Sequence, residues 1–341
     1  MATHLEPVVD DDVDSGFEDD LASVQSTSLA SSVLNYQYEN GRRYHAYRAG
    51  QYPLPNDETE QSRMDLLHHI WRKMLGGDLL RKKPKSPQRM LDVGTGTGIW
   101  AIDAADEYPE AIITGMDLSP IQPSWVPPNC LFYVDDAESE WTYDPFDLIH
   151  GRSLCGCIAD WPKFYRQCFE SLKPGGYLEM QEHDAWISTI NKEPPLATQS
   201  WNVSLNEASA IFGKVLNVAH SHVGWMQDAG FIEVEDETKK IPIGPWAKGQ
   251  DMKELGHIHL VEMLVNFRRV SSVQVKFADS FQDAVEPYTL GLYTKILGKS
   301  LEETHAVIAA VRQEFATRKN YLYVNYHFIT ARKPGGFAGN G

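Results

Sequence analysis

Residues 90–99 read MLDVGTGTGI, and the rest of the chain parses outward from this stretch. Met90, Leu91 and Val93 surround Asp92 as in a short buried strand, and Ile99 opens an apolar helix. Between them Gly94, Gly96 and Gly98 fall at every second position. Glycines in a strand-to-helix turn let the backbone bend sharply and let a ligand approach without meeting a Cβ. The spacing is G-x-G-x-G, whereas the dinucleotide fingerprint requires glycine at 99, which is Ile. Asp92 stands just before the turn, where a carboxylate suits a cation and repels a pyrophosphate. Asp117 closes the next strand, about twenty residues beyond the turn, the position from which a carboxylate accepts both ribose hydroxyl protons. Asp136, at the end of the third strand, can accept from an adenine amino group, and Ala137 leaves room for the ring. Together they describe a site for a positively charged adenosine derivative. S-adenosylmethionine, with a sulfonium and an ammonium, is the expected cofactor. Thr95 and Leu118 complete the expected contacts beside Gly94, Gly96, Gly98 and Asp117. A nicotinamide-dependent oxidoreductase shares the fold type and is disfavoured by Ile99 and Asp92.

Around this turn the hydrophobic pattern alternates. Strands are expected at Arg89–Val93, 111–117, 130–135, 146–150 and 177–181, with helices at Ile99–Glu107 and 161–172 and a turn at 173–176. Strands alternating with helices imply a largely parallel sheet covered on both faces. Further on, helices are expected at 202–219, 222–229, 251–269, 279–297 and 302–318, and strands at 231–241 and 321–331. The fold class is therefore α/β and Rossmann-like: a seven-stranded, mostly parallel sheet with a helical cap. Upstream, Asp57 and Glu60 have capping-box spacing before a helix striped with Met64, Leu67, Ile70, Trp71 and Met74. The tyrosine-rich stretch 35–52 has no clear period.

The formal net charge is -16. Eight acidic residues and no Lys or Arg lie between Met1 and Ala30, so the remainder is only mildly acidic. Nucleic acid would be repelled, and no run is long and apolar enough to span a membrane. Residues 1–34 read as a disordered acidic and Ser-rich tail, 35–333 as the catalytic domain with a helical insertion at about 244–318, and 334–341 as a flexible end. The start of the chain lacks the regions of a signal peptide, and the four cysteines show no C-x-x-C spacing. A cytoplasmic location is expected, with a nuclear one left open by the short run Arg81-Lys-Lys-Pro-Lys85.

Displacement at a sulfonium needs no protonation of the leaving sulfur, so the protein must mainly align the reactants and exclude water. A base helps only a protonated nucleophile. Candidates stand at the ends of the fourth and fifth strands: His150, Glu182 and His183, with Arg152 for a substrate acid or a local carboxylate. His183 reads equally well as a base or as a loop hydrogen-bonding residue, and His150 as packing beside the cofactor. Tyr36 and Tyr44 belong to a segment that reads as a lid or a structural arm, with Arg42 and Arg43 able to reach a cofactor carboxylate. His257-x-His259 and Glu262 read as a solvated or interface helix face rather than a zinc site, and no metal is expected.

The runs LDVGTGTGIWAIDAADEYPEA, GMDLSPIQPSWVPPNC, FYVDDAESEW, FDLIHGRS and LKPGGYLEMQE resemble the class I S-adenosylmethionine-dependent methyltransferases. More narrowly they resemble the fungal LaeA-like group, also called TAM-domain methyltransferases, over roughly residues 35–333. The resemblance implies a sheet whose last strand is antiparallel, with the cofactor across the strand C-terminal ends. It also implies one of two roles. Some members methylate nitrogen or oxygen of small molecules in secondary metabolism. Others regulate those pathways in the nucleus with velvet-type protein partners.

Overall fold

A computed structural model describes residues 3–4, 33–264 and 284–335. Most of the expected tail 1–34, residues 265–283 of the expected insertion, and residues 336–341 lie outside the described residues.

The chain begins with β1 (Thr3–His4) and a hairpin of β2 (Gln37–Glu39) and β3 (Arg42–Tyr44). Then come α1 (Glu58–Met74), β4 (Arg89–Val93), α2 (Ile99–Glu107), β5 (Ile112–Asp117), β6 (Cys130–Val134), β7 (Phe146–Arg152), α3 (Trp161–Ser171) and β8 (Leu172–His183). The C-terminal half adds β9 (Ser188–Thr189), α4 (Leu196–Phe212), α5 (His222–Asp228), β10 (Ile232–Pro242), α6 (Gln250–Leu264), α7 (Val285–Gly291), α8 (Leu301–Ala316) and β11 (Leu322–Arg332). The sheet runs β1-β6-β5-β4-β7-β8-β11-β10, with β9 on β11. Strands β6, β5, β4, β7 and β8 are parallel, and β11 is antiparallel to both its long neighbours. The expected seven strands are all present, and two short ones lengthen the sheet. Strand order reverses between β4 and β7, which opens a crevice at their C-terminal ends.

Alternation along β4 sends its side chains into two cores. Met90 joins Trp100, Ala101, Ala104, Ile113 and Leu148 beneath α2. Leu91 and Val93 join Ile149, Trp161, Phe164 and Met226 on the opposite face. A third core lies under the cap, where the α1 residues Ile70 and Trp71 meet Trp201, Val285, Val311 and Phe328.

Several local expectations need correction. The helix expected at 202–219 is α4, which starts after Pro195 and stops at Gly213, left-handed at φ 89. Proline suits the helix start and a left-handed glycine its end. The turn expected at 173–176 is an irregular start to β8, with a register shift against β7. Asp57 caps α1 by accepting the Glu60 N–H at 3.0 Å, but the Glu60 carboxylate turns to Arg63 instead of closing a capping box. Of the two readings given for helix α6, solvated or interface, the burial of Leu255, His259, Glu262 and Met263 favours the interface one. The helix expected over 279–297 is α7 followed by a π-helical turn at Leu292–Ile296, its residues 279–283 lying outside the described residues. In the basic run, Arg81 and Lys82 pair with Glu237 and Glu235 of β10.

His327 of β11 fastens the antiparallel edge. Its Nδ1 lies 2.8 Å from Asp236 of β10, and its Nε2 lies 3.3 Å from Asp184 beyond β8. Burial opposes charge on this ring, but the bonds to Asp184 and Asp236 outweigh it and raise its pKa to about 9. A cation favoured by folding adds stability below its ordinary pKa and loses it as pH rises through the folded value. The unfolding midpoint should therefore fall between about pH 7 and about pH 10. His327→Gln should flatten that decline in a thermal melt series; an unchanged slope would remove the fastening role.

Candidate functional site

The β4–α2 turn forms the floor of the crevice. Gly98 is left-handed at φ 80, and a Cβ there would lie 2.5 Å from the Phe132 ring. Gly94 is also left-handed, and its Cβ would meet Leu154 at 2.5 Å. Only glycine fits such positions without moving a neighbour. Thr95 anchors the turn through its N–H to the Met116 carbonyl at 3.0 Å and its hydroxyl to Asp92 Oδ2 at 2.6 Å.

Asp117, at the end of β5, accepts the Ser119 N–H at 2.8 Å on one oxygen and the Gly96 N–H at 2.9 Å on the other. Each oxygen keeps a lone pair for a ligand hydroxyl. Burial pushes this carboxyl up to about 6, although those N–H groups pull it down. Asp136 is buried, takes the Glu138 N–H on Oδ1 at 2.9 Å, and pairs through Oδ2 with Arg48 Nε at 3.1 Å.

These residues line a cleft of about 1310 Å³, open to solvent. Asp92, Gly94, Thr95, Gly96, Asp117, Leu118, Asp136 and Ala137 all border it. Gly98 does not, and acts by shaping the turn.

Arg152 also faces the cleft. Desolvation lowers its pKa to about 10, and among the described residues no carboxylate lies within ion-pair distance of it. Its Nη2 instead contacts His68 Nδ1 at 3.0 Å, while His68 Nε2 bonds Asp103 at 3.0 Å. Asp103 thereby holds the His68 proton on Nε2, leaving Nδ1 to accept from Arg152. Burial holds His68 down at about 4, so it stays neutral and supplies no counter-charge.

The expected catalytic residues separate. His150 is buried, stacked on Trp100 at 3.9 Å and bonded through Nδ1 to Asp92 at 2.7 Å. It does not border the cleft; the alternation of β7 turns it toward α2, where it orients Asp92. Glu182 is buried and accepts the N–H groups of Leu154 and Cys155 at 2.8 and 3.4 Å, clamping the turn after β7. Burial raises its carboxyl to about 8, so it holds a proton at neutral pH. The catalytic expectation for His150 and Glu182 is corrected accordingly. His183 lines a second cavity and stacks at 26° on Tyr326. Burial lowers it to about 4, which keeps the ring neutral. Cys155, Glu182 and His183 bring donor atoms within 4.8 Å of one another, but Glu182 is already engaged by the backbone.

The lid expectation also shifts. Tyr36 packs under Arg43, and buried Tyr44 under Lys295, so neither borders the cleft. Arg42 and Arg43 are committed to Asp57 and Glu58. Residues just after the hairpin reach over instead: Tyr52, Leu54 and Asn56 line the cleft. Their aperiodic, proline-broken run carried no signal that could have singled them out.

The donor set suits S-adenosylmethionine: a carboxylate for the ribose diol, a second for the adenine amine, an under-paired cation for the ligand carboxylate, and a glycine cradle. The methyltransferase domain family matches residues 67–235. Methyltransferase pytC of Aspergillus terreus is 40% identical over 314 residues, covering 90% of this chain and 91% of its own length. Secondary metabolism regulator LAE1 of Cochliobolus heterostrophus is 33% identical over 321 residues, covering 91% of this chain and 99% of its own. Haemonchus contortus phosphoethanolamine N-methyltransferase 2, solved with S-adenosyl-L-methionine, is 15% identical with a TM-score of 0.46, covering 92% of this chain and 75% of that one. Among the described residues no helix is long and apolar enough to cross a membrane.

Proposed function

Because this chain belongs to the LaeA-like S-adenosylmethionine-dependent methyltransferases, we propose that it methylates nitrogen or oxygen of a small molecule, an intermediate of fungal secondary metabolism. The observation that carries this reading is the cleft at the β4–β7 reversal, where the glycine turn, Asp117, Asp136 and Arg152 converge. When bound, S-adenosylmethionine supplies an electrophilic methyl group whose leaving sulfur needs no proton. The chain's own work is then binding, orientation and exclusion of water. Asp117 would take the ribose hydroxyls, Asp136 the adenine amine and Arg152 the carboxylate, while Met64 and Leu154 give the cleft apolar walls. Residues 35–333 would form one methyltransferase domain, with the region of about 244–318 as its cap.

Calorimetry should detect S-adenosylmethionine binding and none of NAD. Incubation with methyl-labelled cofactor and a host metabolite extract should yield a labelled small molecule. Binding of NAD in place of S-adenosylmethionine would overturn the reading. The similarity to the regulator LAE1 supports a second role, control of secondary metabolism through velvet-type partners. Recovery of such partners in a pull-down, with no labelled metabolite, would favour it.

A further inference from the structure

Arg48, which follows the β2–β3 hairpin, reaches onto the turn after β6 and pairs with Asp136, Nε to Oδ2 at 3.1 Å. We propose that Arg48 is a positioning residue for the cofactor: it aims the Asp136 carboxylate at the 6-amino group of adenine and so makes the chain prefer an adenine nucleoside to its 6-oxo counterpart. The proposal rests on the methyltransferase reading above and adds the residue that sets its cofactor selectivity.

The carboxylates after β6 differ in how they are held. Asp135 accepts the Asp136 N–H on one oxygen and the Tyr143 hydroxyl on the other, both at 2.8 Å, so its anchors belong to its own loop. Asp136 takes the Glu138 N–H on Oδ1 at 2.9 Å, but its Oδ2 is anchored from outside the loop, by Arg48. A carboxylate offers about four acceptor positions, so Asp136 keeps room for a ligand N–H where it borders the cleft.

An ordinary surface ion pair contributes little. Three features set this one apart. The Asp136 side chain is only 8% exposed. The guanidinium is a rigid fork: while Nε meets Asp136, Nη2 donates to the Ser139 hydroxyl at 2.9 Å, so one head grips both ends of a turn that the Ser139 N–H closes on the Asp136 carbonyl. The Arg48 backbone is also left-handed at φ 53, a costly conformation for a residue other than glycine. Its surroundings hold it there. The Arg48 carbonyl accepts the Gln51 N–H at 3.1 Å and faces His45 Nε2 at 3.2 Å. A carbonyl only accepts, so the His45 proton sits on Nε2, and burial lowers the His45 pKa and keeps the ring neutral. Further along the arm, Asn56 Nδ2 donates to the Ser119 hydroxyl at 3.2 Å, beside the N–H that orients Asp117. The arm thus touches the turns that carry both adenosine-binding carboxylates.

Arg48 does not border the cleft, so it acts through Asp136. An ionised carboxylate accepts and never donates. A 6-amino purine presents it with an N–H. A 6-oxo purine presents an oxygen, and two acceptors then face each other with no proton between them. That discrimination holds only while the carboxylate keeps its orientation. The Glu138 N–H fixes one oxygen and Arg48 the other, which stops rotation about the Cβ–Cγ bond. With one anchor gone, the carboxylate turns away from an opposing oxygen as readily as from the amine.

The test is calorimetric and needs no turnover. The full chain is titrated with S-adenosylhomocysteine and, separately, with S-inosylhomocysteine, which differs only in the oxo group at purine C6 and the N1 proton that accompanies it. The unmodified chain should prefer S-adenosylhomocysteine by at least about 30-fold. Arg48→Ala should cut that preference by about tenfold, chiefly by weakening S-adenosylhomocysteine. Arg48→Lys, which keeps a donor for Asp136 but loses the fork, should fall between the two. Binding of S-inosylhomocysteine by each variant confirms that it is folded. If Arg48 only packs the arm, Arg48→Ala would weaken both ligands alike; an unchanged preference in that variant, with or without such a loss, would overturn the proposal. An unmodified chain that binds both ligands equally would overturn the Asp136 assignment and the proposal with it. Failure of the unmodified chain to bind either ligand would instead overturn the cofactor reading.

Discussion

Asp117→Ala is expected to weaken S-adenosylmethionine binding by about 2–3 kcal/mol, roughly 30- to 150-fold, measured by calorimetry near neutral pH. The size follows from losing a pair of charge-assisted hydrogen bonds to the ribose. The carboxylate is prepared for that task, since the Ser119 and Gly96 N–H groups fix its orientation. The same assignment predicts a pH dependence with a definite sign. In the ligand-free protein burial raises Asp117 to about 6. Hydroxyl donors favour the ionised form, so the cofactor-bound pKa must lie below the free one. Affinity is then full above about pH 6 and declines as pH falls, by at most about tenfold per unit. Asp117→Asn should abolish this decline. Wild-type affinity in Asp117→Ala, or a decline that persists in Asp117→Asn, would remove the ribose assignment.

Arg152→Leu is expected to have an effect of similar size on a different part of the ligand. A desolvated guanidinium without a carboxylate partner is costly to keep. Its pKa of about 10, held down by burial, reflects that cost. A ligand carboxylate would supply the missing charge, worth about 2–3 kcal/mol when paired in a confined site. The variant should therefore lose roughly 30- to 150-fold in affinity for S-adenosylmethionine. Affinity for 5′-methylthioadenosine, which has no carboxylate, should stay within about twofold of wild type. Ligand-free stability should change little, because losing the hydrogen bond to His68 is offset by removing a poorly solvated charge. Equal losses for both ligands would place Arg152 elsewhere in the cleft.

Much of the central architecture was legible because it depends on short-range pattern. The strand Arg89–Val93 and the helix Ile99–Glu107 end where the sequence places them, since an apolar run, three glycines and an amphipathic repeat leave little choice. Asp117 and Asp136 could be found by counting from the turn, because successive βα units deliver their strand ends to one edge. The parts that resisted reading depend on long-range contacts. His68, Asp103 and Arg152 come from α1, α2 and β7, and nothing local marks them as a chain. His150 and Arg152 are two residues apart on one strand, yet one is spent on Asp92 and the other faces the cleft; what each meets depends on α1 and α2. The second cavity exists only because α1, α4, α6 and β11 converge. The sequence left His259 of α6 open between a solvated and an interface position for the same reason: its partner Tyr326 lies 67 residues away.

The ring of Phe132 lies within 3 Å of where a Cβ would stand at both Gly98 and Gly115. These three positions cannot drift independently over evolutionary time. A side chain at 115 becomes admissible only once the ring has shrunk and the Thr95 hydroxyl, 2.9 Å from the same Cβ position, has given way, so the order in which such changes arise decides whether the lineage survives them. Position 98 remains closed even then, because its left-handed backbone still disfavours every other residue.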